Sequence, residues 1–310
     1  MTIAVTFPGQ GSQKPGFLAP WLEDAAHRTT LEQVSEATGI DLIAHGTESD
    51  ADTIRDTAVA QPLIVAAGIV VWDALRARLG DRIDEVNLAG HSVGEISAAY
   101  AAGVFDAATA VRFVARRAEL MAADAAATPT GMAAVLGGDQ PAVVAHLEQL
   151  GLQPANFNGA GQIVAAGAPA ALEQLQAEPP AGTRVIALKV AGAFHTRYMA
   201  TAQATLAAEA TRFEVNDPVR PLLTNFDGST VDSGSTFLEL LVNQVNRPVR
   251  WDRCMETFAA QSITGMVEAA PAGTLVGLAK RALRGTPTVA LTTPADIDAA
   301  VELLAPSDAE

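Results

Sequence analysis

A single serine between two glycines, Gly90-His91-Ser92-Val93-Gly94, is the stretch with the clearest chemical meaning. The apolar run Val86–Ala89 precedes it and a helical pattern, Ser92–Ala102, follows. A G-x-S-x-G in that position predicts a sharp strand-to-helix turn that lifts the Ser92 hydroxyl off a sheet. The amide of Val93 then lies at a helix N-terminus, where it can hold an oxyanion while the serine attacks a carbonyl. A plain glycine-rich turn is the alternative in a chain with 25 Gly. The flanking strand and helix favour the nucleophile.

Serine needs a base, and there are five histidines. His27, His45 and His146 sit in polar or helical settings without motif character. His91 adjoins Ser92, but neighbours leaving a strand point to opposite faces, so its ring is poorly placed as the base. It is kept as a residue of the substrate pocket. His195, in AGAFHTRYM, follows the strand expected at Arg184–Val190. That is the carboxyl end of a strand, where open α/β sheets build their sites, and His195 is read as the base. Between the two, Asp106 and Asp139 fit helix caps and Asp124 lies inside a helix. The expectation is therefore a Ser–His dyad, its second ring nitrogen oriented by a group other than a carboxylate, such as a backbone carbonyl.

Arg117 adds a charge requirement. In the helix after Asp106, Ala110, Val114, Arg117 and Met121 fall on one stripe, while Arg112, Arg116 and Glu119 fall on the other side. An inward arginine needs an anion. A structural ion pair is the commoner case for an isolated arginine. Beside a nucleophilic serine, a substrate carboxylate clamped by the planar guanidinium is favoured. The loop Phe7-Pro8-Gly9-Gln10-Gly11-Ser12-Gln13 ends the first strand, and its glycines free the Gln10 amide to serve as a second oxyanion donor. It lacks the Lys-Ser/Thr ending of a phosphate loop.

Positioning these groups requires a sheet. Ile3–Phe7 and Val86–Ala89 read as strands, with a helix opened by Gln61-Pro62 and running to Leu79, and another from Asp106 to about Ala126. This strand-then-helix alternation predicts an α/β fold: a large hydrolase-like domain with a mostly parallel sheet flanked by helices. From 130 to 190 the order becomes β-α-β-β-α-β, a ferredoxin-like unit inserted as a small subdomain between 1–129 and 191–310. Alternation then resumes with a strand at Leu222–Asn225, helices at Thr236–Val245 and Trp251–Ala260, a strand at Gly265–Ala269, a helix at Leu275–Leu283, a strand at Thr288–Leu291 and a helix from Ala295. The tail APSDAE reads as frayed.

The 310 residues are 49% hydrophobic and carry a net charge of −15, which argues against nucleic acid or an anionic membrane as partner. Apolar runs are broken short of a membrane span, and Met1 leads directly into a strand without the pattern of a signal peptide. One cysteine, Cys254, excludes an internal disulfide and fits a reducing cytoplasm. Six of the 20 cations cluster in two stretches, Arg247, Arg250, Arg253 and Lys280, Arg281, Arg284. They read as solvated charge or as a local basic patch.

Seven stretches in order, FPGQGSQ at 7–13, AQP at 60–62, GHSVGE at 90–95, RAELM at 117–121, NFNGAGQIV at 156–164, GAFHTRYM at 192–199 and PVRW at 248–251, resemble the malonyl-CoA:acyl carrier protein transacylases of fatty-acid synthesis and, more widely, the acyltransferase domains of polyketide synthases. The resemblance spans nearly the whole chain. It implies Ser92 as nucleophile, His195 as base, the Gln10 and Val93 amides as oxyanion hole, and Arg117 as clamp for the malonyl carboxylate. It implies that Gln61 lines the pocket near Arg117, that Phe194 crowds an α-methyl and so favours malonyl over methylmalonyl, and that the carbonyl of Arg247 orients the histidine. EAAPAGTL at 268–275 departs from the family's glycine-rich form. The implied partners are malonyl-CoA and acyl carrier protein, with no metal or organic cofactor. Carrier proteins are usually acidic, so Arg247, Arg250, Lys280, Arg281 and Arg284 are candidates for docking. A serine hydrolase or thioesterase, a non-catalytic module of the same fold, and an acyltransferase for another acyl-CoA remain as rival readings.

Overall fold

The computed structural model describes residues 2–304; the tail at 305–310 lies outside the described residues. Among the described residues, eight strands form two sheets: β1 (Ile3–Phe7), β2 (Asn87–Gly90), β3 (Gly131–Gly137), β4 (Gln153–Gly159), β5 (Gln162–Gly167), β6 (Thr183–Leu188), β7 (Gly265–Glu268) and β8 (Thr288–Ala290).

The larger sheet is parallel, in the order β2-β1-β7-β8. Every residue of β1 is buried, so IAVTF reads as a continuous run, the mark of a strand covered on both faces. The pairing of Phe7 with Gly90 brings the carboxyl ends of β1 and β2 together. The loop after β1 and the turn after β2 therefore start side by side, tied by the His91 amide donating to the Phe7 carbonyl at 2.9 Å.

The second sheet is antiparallel, β4-β5-β3-β6, with helices Gln140–Gln149 and Pro169–Ala177 between its strands. This is the ferredoxin-like unit expected from the order of elements. It has its own small core around Val135, Val143, Leu147, Ile163 and Leu175.

Three expectations are corrected. The helix expected from Gln61 begins at Thr57, because the Asp56 carboxylate accepts from the Ala58 amide at 2.8 Å and caps it there; Pro62 falls inside the helix. This 23-residue helix, Thr57–Leu79, is long and apolar enough to cross a membrane by length and composition, although the apolar runs read as too short. Its apolar window is 83% buried within the protein, so its all-round hydrophobicity is that of a central core helix. Leu222–Asn225 is no strand: only the bridges Leu88↔Leu222 and Leu223↔Thr230 form. A turn closed by the Gly228 amide on the Thr224 carbonyl at 2.9 Å pulls the chain off the sheet edge.

Candidate active site

The turn after β2 is as tight as its sequence requires. A Cβ on Gly90 would lie 1.9 Å from the carbonyl carbon of Gly94, and one on Gly94 would lie 2.1 Å from the Phe7 carbonyl oxygen. Only glycine fits either place. Ser92 itself takes a φ of 53°, in the left-handed region that non-glycine residues seldom occupy. Asn225 braces that conformation: its Oδ1 accepts from the Ser92 amide and its Nδ2 donates to the Gly90 carbonyl, both at 2.8 Å.

His195 meets Ser92. Its Nε2 lies 2.7 Å from Ser92 Oγ, and its backbone is also left-handed, with φ 61°. The Nδ1–H donates to the carbonyl of Gln244 at 2.8 Å, which leaves Nε2 unprotonated and facing the hydroxyl. Burial, then the charge of Arg117, lowers the imidazole pKa to about 3, so the ring stays neutral at neutral pH. An orienting backbone carbonyl is what the missing acid predicted, but it is Gln244 rather than Arg247. Gln244 ends the helix Gly234–Gln244, and the residue four further on is Pro248, which has no N–H to close the next helical bond.

His91 turns away from the hydroxyl, as expected. Its Nε2 bonds Asn158 Oδ1 of β4 at 2.8 Å, and its ring lies 5.8 Å from that of Trp251. Burial lowers its pKa and keeps it neutral.

Arg117 is inward, at 1% exposure, on the helix Ala107–Ala127 capped by Asp106. Its stripe companions Ala110, Val114 and Met121 are buried, while Arg116 faces outward and pairs with Glu209 and Glu119 at 2.8 Å. Among the described residues no carboxylate oxygen lies within 4.0 Å of the Arg117 guanidinium. Its Nη1 donates to Gln61 Oε1 and its Nη2 to Gln244 Oε1 at 2.9 Å, and its buried Nε has no acceptor. Burial lowers its pKa to about 10, with Glu95 acting the other way, so it remains a cation.

Ser92, His195 and Arg117 open onto one cavity of about 250 Å³ that also meets Gln10, Gln61, His91, Val93 and Phe194. Residues of the small sheet, among them Met132, Asn158, Val164 and Leu188, form its opposite wall. The Gln10 and Val93 amides have no acceptor among the described residues, which leaves them available to an oxygen in the cavity. The divergent loop at 268–275 is ordered from within. The buried Glu268 carboxylate accepts from the amides of Gly273, Leu275 and Val276 at 2.9 Å, capping the helix Thr274–Ala282, whose Leu275 and Leu278 also line the cavity.

The candidate docking cations stand outside. Arg247, Lys280, Arg281 and Arg284 are exposed, and Arg281 reaches the rim by donating to Gln162 Oε1 at 3.3 Å. Arg250 is already engaged by Asp252 at 2.9 and 2.7 Å and lies over Phe157.

Three residues escaped the sequence reading: Asn225, Gln244 and Glu95. Glu95 is 1% exposed, accepting from the Asn225 amide at 2.6 Å and from Gln244 Nε2. A charged residue in the otherwise apolar helix GEISAAYA was the signal for Glu95, and Pro248 four residues on was the signal for Gln244. Nothing local marked Asn225.

The family model described as Acyl transferase domain matches residues 5–302. The chain belongs to the acyl transferase family. Among acyl transferases, a malonyl CoA-acyl carrier protein transacylase of Mycobacterium tuberculosis is 50% identical over 296 residues, covering 96% of this chain and 98% of the relative. One from Escherichia coli is 34% identical over 314 residues, covering 97% and 99%. The crystal structure of MCAT from Mycobacterium tuberculosis superposes with a TM-score of 0.93 at 49% identity, covering 98% of this chain and all of that one. A malonyl-transacylase in complex with a type II PKS acyl-carrier protein gives 0.90 at 29% identity, covering 97% and 99%.

Proposed function

We propose that this acyl transferase moves a malonyl group from malonyl-CoA to the phosphopantetheine thiol of acyl carrier protein through a malonyl-Ser92 ester. The observation that carries the reading is the meeting, in one cavity, of a serine hydrogen-bonded to a histidine and a buried arginine that, among the described residues, has no carboxylate oxygen within 4.0 Å. The names of its relatives point the same way.

Ser92 gives its proton to His195 Nε2 as Oγ bonds to the thioester carbonyl carbon. The amides of Gln10 and Val93 hold the resulting oxyanion, a contribution of about 3–4 kcal/mol per donor. The C–S bond then breaks, and the CoA sulfur takes the proton from His195. In the second half the carrier thiol gives its proton to the same nitrogen and attacks the ester. The C–O bond breaks and Ser92 regains its proton. Neither half-reaction calls for a metal or an organic cofactor. Arg117, with Gln61 beside it, receives the free carboxylate. Phe194 crowds an α-methyl and favours malonyl over methylmalonyl.

We assign 130–190 to a small subdomain and 1–129 with 191–310 to the catalytic domain, the cleft between them being the site. The carrier docks on the rim cations Lys280, Arg281 and Arg284, with Arg247 and the already paired Arg250 secondary. The enzyme belongs to fatty-acid biosynthesis in the cytoplasm, where a lone buried cysteine stays reduced. A hydrolase is disfavoured by the carbonyl in place of the third acid and by the arginine in the acyl pocket.

Mass spectrometry of the intact protein after exposure to malonyl-CoA tests the reading. A malonyl adduct is expected on Ser92, persistent until carrier protein is added. Rapid hydrolysis without an acceptor would indicate a thioesterase, and no adduct would indicate a non-catalytic module.

A further inference from the structure

The reaction written above makes no use of Glu95, yet this carboxyl is as deeply buried as Arg117 and lies on the same network. Gln244 joins them, its Oε1 accepting from Arg117 Nη2 and its Nε2 donating to Glu95 Oε2. The other Glu95 oxygen takes the Asn225 amide at 2.6 Å. Few charged or titratable groups face it. They are Arg117 from the helix Ala107–Ala127, Cys254 from the helix Trp251–Ala260, and His195 across Gln244. β1 and β2 bring none, and Asp73 of the helix Thr57–Leu79 is bonded to Tyr100 at the far end of the Glu95 helix.

We propose that Glu95 is the counter-charge of Arg117, held off it by the Gln244 amide, and that it takes up a proton when the free carboxylate of an acyl group settles on Arg117. This rests on the reading that Arg117 receives the malonyl carboxylate. Above its pKa of about 8, Glu95 is one buried anion to the one buried cation of Arg117. A second carboxylate would then leave two buried anions to one cation, and protonating Glu95 restores the balance. Burial drives this carboxyl up to about 8, against the hydrogen bonds from Asn225 and Thr224 and the pull of Arg117. It therefore titrates where the other facing groups do not: burial pushes the Cys254 thiol up and holds His195 near 3.

The test uses a Ser92→Ala protein, which binds without being acylated. Calorimetric titration just above pH 8, in buffers of different ionisation enthalpy, compares malonyl-CoA with acetyl-CoA. Proton uptake is expected with malonyl-CoA and none with acetyl-CoA. The Kd for malonyl-CoA should rise with pH, by up to about tenfold per unit since one proton is linked. Glu95→Gln in the same background should abolish the uptake and flatten the pH dependence. Preferential malonyl-CoA binding with buffer-independent heat would overturn the proposal and leave the Arg117 reading standing. Equal binding of the two thioesters would overturn the Arg117 reading and the proposal with it.

Discussion

Gln244 stands between Arg117 and Glu95, its amide oxygen 2.9 Å from the guanidinium and its amide nitrogen on the carboxyl. A direct arginine–carboxylate pair would occupy the guanidinium fork with an internal anion. With an amide interposed, an incoming carboxylate competes only with neutral oxygens. The cation is thereby kept buried and still available.

Arg117→Ala removes the one Lys or Arg that lines the cavity among the described residues, and with it the proposed partner of that carboxylate. Malonyl transfer should lose about 3 kcal/mol of transition-state stabilisation, roughly a hundredfold in kcat/KM. Acetyl transfer should gain relative to it. Parallel kinetics with the two CoA esters check this, and an unchanged preference contradicts the clamp.

The pH profile follows from His195. Its pKa is lowered from 6.5 to about 3, so the neutral base persists as the medium turns acid. The acylation rate should show no inflection near 6.5. In the unfolded chain the imidazole protonates near its ordinary value, so folding stability falls as pH drops below 6.5 towards 3. A His195→Gln variant, melted across that range, should lack this part of the loss.

Asn225→Ala removes both bonds that brace the left-handed Ser92. The expected result is a fall in kcat of about 10–100-fold with little change in KM, since misplacement by a fraction of an ångström is costly at a reacting centre. Equal losses in both parameters would assign Asn225 to binding.

Gly94→Ala forces a Cβ to 2.1 Å from the Phe7 carbonyl oxygen and 2.7 Å from that of Pro8, backbone atoms that cannot swing aside as a side chain could. Destabilisation should exceed about 3 kcal/mol, beyond ordinary overpacking. Gly277, in the helix Thr274–Ala282, has nothing within 4 Å of an added Cβ. Gly277→Ala should stabilise by about 0.5–1 kcal/mol. Thermal melts of the pair decide.

Reversing Lys280, Arg281 and Arg284 to glutamate should raise the KM for carrier protein about tenfold while sparing acylation by CoA. If both half-reactions respond alike, the rim is not the docking surface.

The glycine-flanked serine turn, the histidine that meets it and the inward arginine were legible because each is written locally: two glycines around a serine, a histidine at a strand end, a cation on an apolar stripe. The ferredoxin-like unit was legible from the order of its elements. What escaped depends on distant chain segments. Asn225 reads as the end of a strand, and its partner Ser92 is 133 positions away. The Arg247 carbonyl was expected because a motif marks the neighbourhood, but the helix end and Pro248 select Gln244 instead. The start of the helix Thr57–Leu79 was displaced because Asp56 caps more strongly than a proline announces.

Gln244 performs its two tasks through different atoms, and only one set changes with the genetic code. The carbonyl that aligns the imidazole is common to all amino acids, whereas the carboxamide that tunes the arginine is not. Exchanging that side chain is therefore expected to change which acyl chains bind while leaving the imidazole aligned on the serine, so that selectivity and reactivity can be altered separately at one position.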